Sequence, residues 1–283
     1  MSSEARKVVE RIADVVAESA LDIESGLATA RTMTADNNPS GDVQLDADII
    51  SDKQLANTLT DIKSVGCYLS EERAEGIETT GSYTVAVDPL DGSKNIRSGN
   101  CAGIIVGVYN GSLPLCGRDL IGVTTVTFGS ITLQTTAVDD VVSQRALKSA
   151  AYDVLEKSVE LPDEPAVYGI GGRPGARKAA VDDYVEVISH ELKCRYGGAM
   201  VADVNQVLAF GGVYGYPTVE GYPDGKLRGL VEVAPMAYII EAAGGVSTVG
   251  GQSALEVSFE GPHERTPVLM GNETLIKQAP DAL

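Results

Sequence analysis

Histidine is nearly missing from this chain. His190 and His263 are the two present in 283 residues, which excludes any mechanism built on several imidazoles. The four cysteines, Cys67, Cys101, Cys116 and Cys194, include no CxxC pair of the kind that holds zinc or exchanges disulfides, and they read as reduced, half-buried thiols. Cations are scarce as well. Lys and Arg total 22 against 40 Asp and Glu, a formal charge of -18 that repels a phosphate backbone, so nucleic acid is not an expected partner. No apolar run reaches the roughly 18 residues that a membrane span needs. The first residues, Met1 to Arg6, have neither the apolar core of a signal peptide nor the Arg-rich, acid-poor character of a transit sequence. The chain therefore reads as soluble and cytoplasmic, with no membrane partner. Hard-cation chemistry on carboxylates is what these absences leave open.

The acid excess carries its own expectation. Molar salt shortens the reach of charge repulsion, and an acid-rich surface keeps a folded chain dispersed there. With ten lysines and a charge of -18, the composition reads as that of a protein from a salt-rich cytoplasm rather than an ordinary acidic enzyme. Its melting temperature is expected to rise as KCl is taken from dilute buffer into the molar range. Equal stability at both ends of that titration would refute the halophilic reading.

Along the chain, Val8, Ile12, Val15, Val16, Ile23 and Leu27 recur at helical steps within residues 4–31. Thr34 to Gly41 reads as a loop, and residues 47–63 as a second helix. Tyr83 to Val87 and Cys101 to Tyr109 read as strands. The segment Leu161-Pro-Asp-Glu-Pro165 interrupts every pattern around it and is the expected boundary between residues 1–163 and 164–283. Beyond it come a strand at 166–170 and helices at 177–192 and 200–210. Strands separated by helices in this way imply a layered α/β architecture with two sub-domains.

The most informative stretch is Val87-Asp88-Pro89-Leu90-Asp91-Gly92-Ser93-Lys94-Asn95, which sets two carboxylates three residues apart at the end of a strand. Pro89 and Gly92 tighten the turn. Asp88 and Asp91 can then face one point, as Mg²⁺ demands of its one or two carboxylates, with water and substrate phosphate completing the shell. The backbone N–H groups of Gly92, Ser93 and Lys94 would present an anion site beside the metal. Glu71 and Glu72 stand seventeen and sixteen residues upstream of Asp88, joined to it by a hairpin or a short crossover. Adjacent glutamates are usually solvated surface. Four carboxylates packed together without a cation would repel strongly, so their convergence predicts metal.

Two other spacings are set aside. Cys67 and Arg73 match the C-x5-R loop of thiolate phosphatases, but Glu71 and Glu72 inside it would repel phosphate and raise the thiol pKa. Gly169, Gly171 and Gly172 lack the third glycine of a dinucleotide fingerprint, and Pro174 spoils the helix start. The third constellation is Arg195-Tyr196, then Tyr214 to Pro217, then Gly225-Lys226-Leu-Arg228-Gly-Leu-Val-Glu232. Arginine forks, a lysine point charge and tyrosine hydroxyls suit a second phosphate and sugar oxygens. Surface ion pairing is the plainer account of any one of them. Glu232, closing an apolar, strand-like run, is a candidate metal ligand from the second half.

At these residues the sequence resembles class I fructose-1,6-bisphosphatase, from about Gly41 to about Gly245. The likeness rests on five blocks in family order: Ser70-Glu71-Glu72; residues 88–95; 195–203; 211–217; and 225–238. Inositol monophosphatases rank second, because they usually carry Ile and Thr where this chain has Leu90 and Ser93 and lack the 225–228 block. The resemblance implies a sugar phosphatase fold of alternating helix and sheet layers, commonly a homotetramer. It implies that Glu71, Glu72, Asp88, Asp91, Glu232 and the Leu90 carbonyl hold two or three Mg²⁺ ions, with Mn²⁺ as a substitute. It makes Gly92, Ser93 and Lys94 the cradle of the 1-phosphate, and Asp46 the acid that prepares the attacking water with Glu72. Asp42 falls in the matching loop region. Tyr196, Tyr216 and Lys226 become substrate contacts, Arg195 the arginine that reaches the 6-phosphate from a neighbouring subunit, and Arg228 a cation near the active centre.

Departures accompany the match. Lys94 replaces a serine, residues 168–173 differ from the family, and the chain between Asp42 and Asp46 is two residues shorter than usual. Ser82 stands where AMP-inhibited relatives carry lysine, and Tyr83 alone matches their AMP-binding block. The implied activity is Mg²⁺-dependent hydrolysis of a sugar bisphosphate, fructose 1,6-bisphosphate, in gluconeogenesis. Inositol-phosphate or sedoheptulose-bisphosphate hydrolysis, or a non-catalytic sugar-phosphate sensor, are the competing readings.

Overall fold

The helical spacing at the amino end forms α1, Ser3–Leu27. The Ser2 side chain caps it by accepting the Ala5 N–H at 3.1 Å. Val9, Ile12, Val16 and Ala20 are wholly buried, as one apolar stripe requires. This structure is a computed structural model, and it describes residues 2–30, 33–39, 43–149 and 151–281. Asp42 lies outside the described residues.

The next helix, α2, spans Asp46–Thr60 and packs with α1 on one face of an eight-stranded sheet. In spatial order the strands are Ala151–Glu156, Val141–Lys148, Thr132–Val138, Leu120–Phe128, Ala102–Asn110, Tyr83–Asp91, Val65–Ser70 and Ile77–Glu78. All neighbours run antiparallel except Val65–Ser70 and Tyr83–Asp91, which are parallel. The connection left open between Glu72 and Asp88 is thus a crossover with the short Ile77–Glu78 strand on its outer edge.

Three further helices follow, α3 at Ala179–Ser189, α4 at Met200–Phe210 and α5 at Ala234–Ala242. Both α4 and α5 lie on the opposite face of the large sheet and also contact a second sheet. That sheet has five strands in the order Lys193–Cys194, Val167–Ile170, Gly212–Tyr216, Val268–Gly271 and Val246–Thr248. A helix between two sheets can have no polar face, and in α5 six residues from Ala234 to Ile240 are buried. On the outer side of the smaller sheet, α3 and the short α6, Glu273–Ile276, close a third apolar core around Ile170, Val213 and Leu269. Helix and sheet layers therefore alternate, α-β-α-β-α, as expected of a layered α/β fold.

Two local expectations change. Thr34 to Asn37, read as part of a loop, belong to the strand Met33–Asn37, which pairs antiparallel with Val43–Leu45. No glycine or proline interrupts Met33 to Asn37, and the breaker signal starts only at Pro39. Glu232 closes no strand. Gly229–Val233 is a π-helical turn that runs into α5, because Ala234-Pro235 favours a helix start.

Candidate active site

Two features of the large sheet gather the acids. The parallel register aligns Ser70 with Val87, and the Glu71 N–H donates to the Val87 carbonyl at 3.3 Å, so Glu71 and Asp88 leave the sheet side by side. The second feature is a bulge. Residues three apart on a regular strand point to opposite faces, yet Asp88 opposes Ile105 while Asp91 opposes Gly103. One extra residue on the first strand turns both carboxylates the same way. Glu232 arrives from the π-helical turn, and one carboxylate oxygen each of Asp88, Asp91 and Glu232 lie within 4.8 Å of one another.

Hydrogen bonds fix their orientation. Asp88 Oδ1 accepts the Leu90 N–H at 3.0 Å, Asp91 Oδ2 the Val201 N–H at 2.7 Å, and Glu232 Oε2 the Arg228 N–H at 2.6 Å. The Arg228 guanidinium, itself buried, lies against Glu71 Oε2 and 3.5 Å from Glu232 Oε2. One cation does not balance this cluster. Burial raises the Asp88 carboxyl well above its ordinary range, and the charges of Glu71, Asp91 and Glu232 add to it. Burial lifts Glu71 likewise, with the Arg228 attraction a smaller, opposing effect. Asp91 is pushed up to about 7 by burial and then by Glu232.

Gly92 follows with φ +71, a left-handed conformation that suits glycine, and a Cβ there would lie 2.4 Å from the Ala199 Cβ. It starts the short 3-10 turn Ser93–Ser98. Asn95 Nδ2 donates to the carbonyls of Cys101 at 2.8 Å and Gly197 at 2.9 Å, tying this turn to the approach to α4. Asp203 of α4 holds the same approach by accepting the N–H groups of Gly197 and Gly198.

A cleft of about 150 Å³ opens over these groups. On its floor lie Glu71, Glu72, Asp88, Leu90, Asp91 and Glu232, with Gly92, Ser93 and Lys94 beside them, and Tyr196, Tyr216, Lys226 and Arg228 complete much of the wall. Lys226 Nζ stands 5.3 Å from the centre of the Tyr216 ring. The donor set suits a hard divalent cation: the carboxylates offer only oxygen, Glu71, Asp88, Asp91 and Glu232 are buried, and they repel one another.

Both halves of the chain match one family. The profile of the fructose-1,6-bisphosphatase N-terminal domain matches residues 7–151, and that of the C-terminal domain matches residues 161–283. The chain belongs to the fructose-1,6-bisphosphatase family. It is 46% identical over 278 residues to the class 1 fructose-1,6-bisphosphatase of Natronomonas pharaonis, covering 97% of this chain and 98% of that one. Identity to the class 1 enzyme of Halobacterium salinarum is 42%, with 98% and 97% covered. Isozyme 2 of Mus musculus is 33% identical, with 88% and 80% covered. Among solved structures, Leishmania major fructose-1,6-bisphosphatase in its holo form superposes with a TM-score of 0.91 at 26% identity, over 98% of this chain and 94% of that one.

Within this member of the family, two expected site residues fall outside the cleft. Asp46 does not line it; Asp48 does, from the first turn of α2. Counting from Asp42 to Asp48 also restores the two residues by which the chain was short of the family spacing. Asp48 is buried, its Oδ2 accepts the Leu45 N–H at 2.6 Å, and burial followed by the nearby Glu72 charge pushes it up to about 6. Arg195 is the second, exposed just past the Lys193–Cys194 strand. Conversely, Asn38 and Arg265 line the cleft and were not singled out in the sequence, while Tyr214, part of the tyrosine-bearing constellation, lines it too. Arg265 arrives by pairing of its strand with Leu227–Arg228, and its Nη1 donates to the Lys226 carbonyl. The Cys67 thiol is pushed up to about 12 by burial and then by Glu78, the opposite of what a thiolate nucleophile needs.

Proposed function

We propose that this chain hydrolyses fructose 1,6-bisphosphate to fructose 6-phosphate and phosphate, as the names of its relatives describe. The observation that carries this reading is a single cleft with converging buried carboxylates on its floor and cationic and tyrosyl groups on its wall. Glu71, Glu72, Asp88, Asp91, Glu232 and the Leu90 carbonyl would hold the Mg²⁺ ions. Bound there, they would lower the pKa of a water and neutralise phosphate charge.

The protein's own groups supply positioning. Gly92, Ser93 and Lys94 receive the 1-phosphate through backbone N–H groups, beside the acids. Asp48, in the role that the resemblance gave to Asp46, takes a proton from the attacking water together with Glu72. Its Oδ2 is tethered by Leu45, which fixes the carboxylate, and its pKa of about 6 leaves it ionised yet basic at neutral pH. Tyr196, Tyr216 and Lys226 hold the sugar and its far phosphate, with Arg265 supporting Lys226 from behind. Arg195, exposed outside this cleft, serves a neighbouring subunit's cleft in a homotetramer.

Lys226 makes the sharpest test of substrate class. A charge-assisted contact contributes about 1.5–3 kcal/mol, so Lys226→Ala is expected to raise KM for fructose 1,6-bisphosphate by about tenfold or more with kcat little changed. Faster phosphate release from an inositol monophosphate than from the bisphosphate would overturn the substrate assignment.

A further inference from the structure

Arg73 follows Glu72 directly and plays no part in the roles assigned so far, yet three groups hold it, although its Nε is buried without a hydrogen bond. Its Nη2 lies 2.7 Å from Asp52 Oδ2, its Cζ stands 5.9 Å from the centre of the Tyr68 ring, and its carbonyl contacts His263 Nε2 at 2.9 Å. Asp52 is buried in α2, and its second oxygen, Oδ1, accepts the hydroxyl of the fully buried Tyr68 at 3.1 Å. Tyr68 in turn sits in the Val65–Ser70 strand that delivers Glu71 and Glu72. Both oxygens of Asp52 thus bind the strand and loop that carry the glutamates.

Asp52 is four residues beyond Asp48, so the two carboxylates share one face of α2, one turn apart. Asp48 sits at the cleft, and Asp52 sits behind it. On the opposing loop Glu72 is at the cleft and Arg73 behind it. Two neighbours in each element form two cross-links, a functional pair in front and an ion pair at the back. Long Glu and Arg side chains on a loop lose their positions readily unless something spends their rotamer freedom. Arg73–Asp52 is placed to do so.

We propose that the Asp52–Arg73 ion pair is a positioning clamp that sets the separation of Asp48 and Glu72 for their shared water. This rests on the reading of Asp48 and Glu72 as the water-activating pair. A displacement of about 1 Å in such a geometry can cost on the order of 10²-fold in rate. Arg73→Gln and Asp52→Asn are therefore each expected to lower kcat by about ten- to a hundredfold, with KM within about threefold of wild type. The double variant should lose no more than either single one, because the two act as a unit. Arg73→Lys, which keeps the charge, should recover most of the rate.

The decisive comparison is made in an Asp48→Asn background, with the full chain in Mg²⁺ and molar KCl and folding followed by circular dichroism. If the clamp acts through Asp48, adding Arg73→Gln there costs nothing further. A further loss equal to that seen in the wild-type background overturns the clamp. Wild-type kcat in Asp48→Asn itself overturns the water-activating reading instead, and the clamp with it. Should Arg73→Gln fail to fold, Asp52→Asn carries the same cycle, and wild-type kcat in folded Asp52→Asn again overturns the proposal.

Discussion

Asp91→Asn is expected to lower kcat by on the order of 10³-fold while leaving the protein folded. Asp91 is buried on the floor of the cleft, within reach of Asp88 and Glu232, and it is one of the groups assigned to hold a cation there. The asparagine keeps an oxygen to accept the Val201 N–H, now met at 2.7 Å, and removes only the charge. Without a cation that charge is a burden, since burial and Glu232 push the carboxyl up to about 7. The variant should therefore melt no lower than wild type in the absence of divalent ions. Asp91→Ala is the harsher companion: it strands the Val201 N–H at the start of α4, at a cost of about 1–3 kcal/mol, besides abolishing turnover. Phosphate release at the wild-type rate from Asp91→Asn would remove the case for metal at this position.

The second large effect is on stability, and its sign depends on pH. Asp91, Asp88 and Glu71 all have carboxyl pKa values raised in the folded chain. Between the unfolded value, 3.8 for Asp91, and the folded one near 7, the native state holds more protons than the unfolded state. Stability from these groups is thus present at low pH and falls as pH rises through that window. A divalent cation binds the ionised groups and displaces the protons, so its stabilising effect should grow over the same range. At a hundredfold excess over Kd, a ligand specific for the native state adds about 2.7 kcal/mol. For a chain of this size that is a rise in Tm of roughly 5–10 °C. The rise with Mg²⁺ should be near its full value at pH 8 and small at pH 5, measured at constant molar KCl. Equal shifts at the two pH values would mean that the ion binds elsewhere.

Much of this site can be read before any coordinates, because its chemistry is written in contiguous residues. The Asp88–Asn95 stretch couples two acids to a glycine turn, and a strand before it and a phosphate loop after it follow from β-branched and glycine patterns. The apolar steps of α1 and α4 likewise announce which face is buried. Arg265 was not legible, since a lone arginine near the carboxyl end has no local feature that separates a cleft group from a solvated one. Asp46 and Asp48 have no difference in local pattern either, and the step from Asp42 was the one sequence feature that favoured Asp48. Both lie in the first turn of one helix, and packing against the sheet decides which carboxylate turns inward.

The residues themselves determined the kind of chemistry: with two histidines and no paired cysteines, acids and hard cations were what the chain had to work with. They determined the element types too, since periodicity is a property of neighbours along the chain. Tertiary structure alone decided convergence. A parallel register placed Glu71 beside Asp88, a one-residue bulge turned Asp91 to join it, and a π-helical turn brought Glu232 from the other half. Such meetings are set by the docking of layers, whose buried contacts join residues more than a hundred positions apart, and no local pattern encodes a distance of that kind.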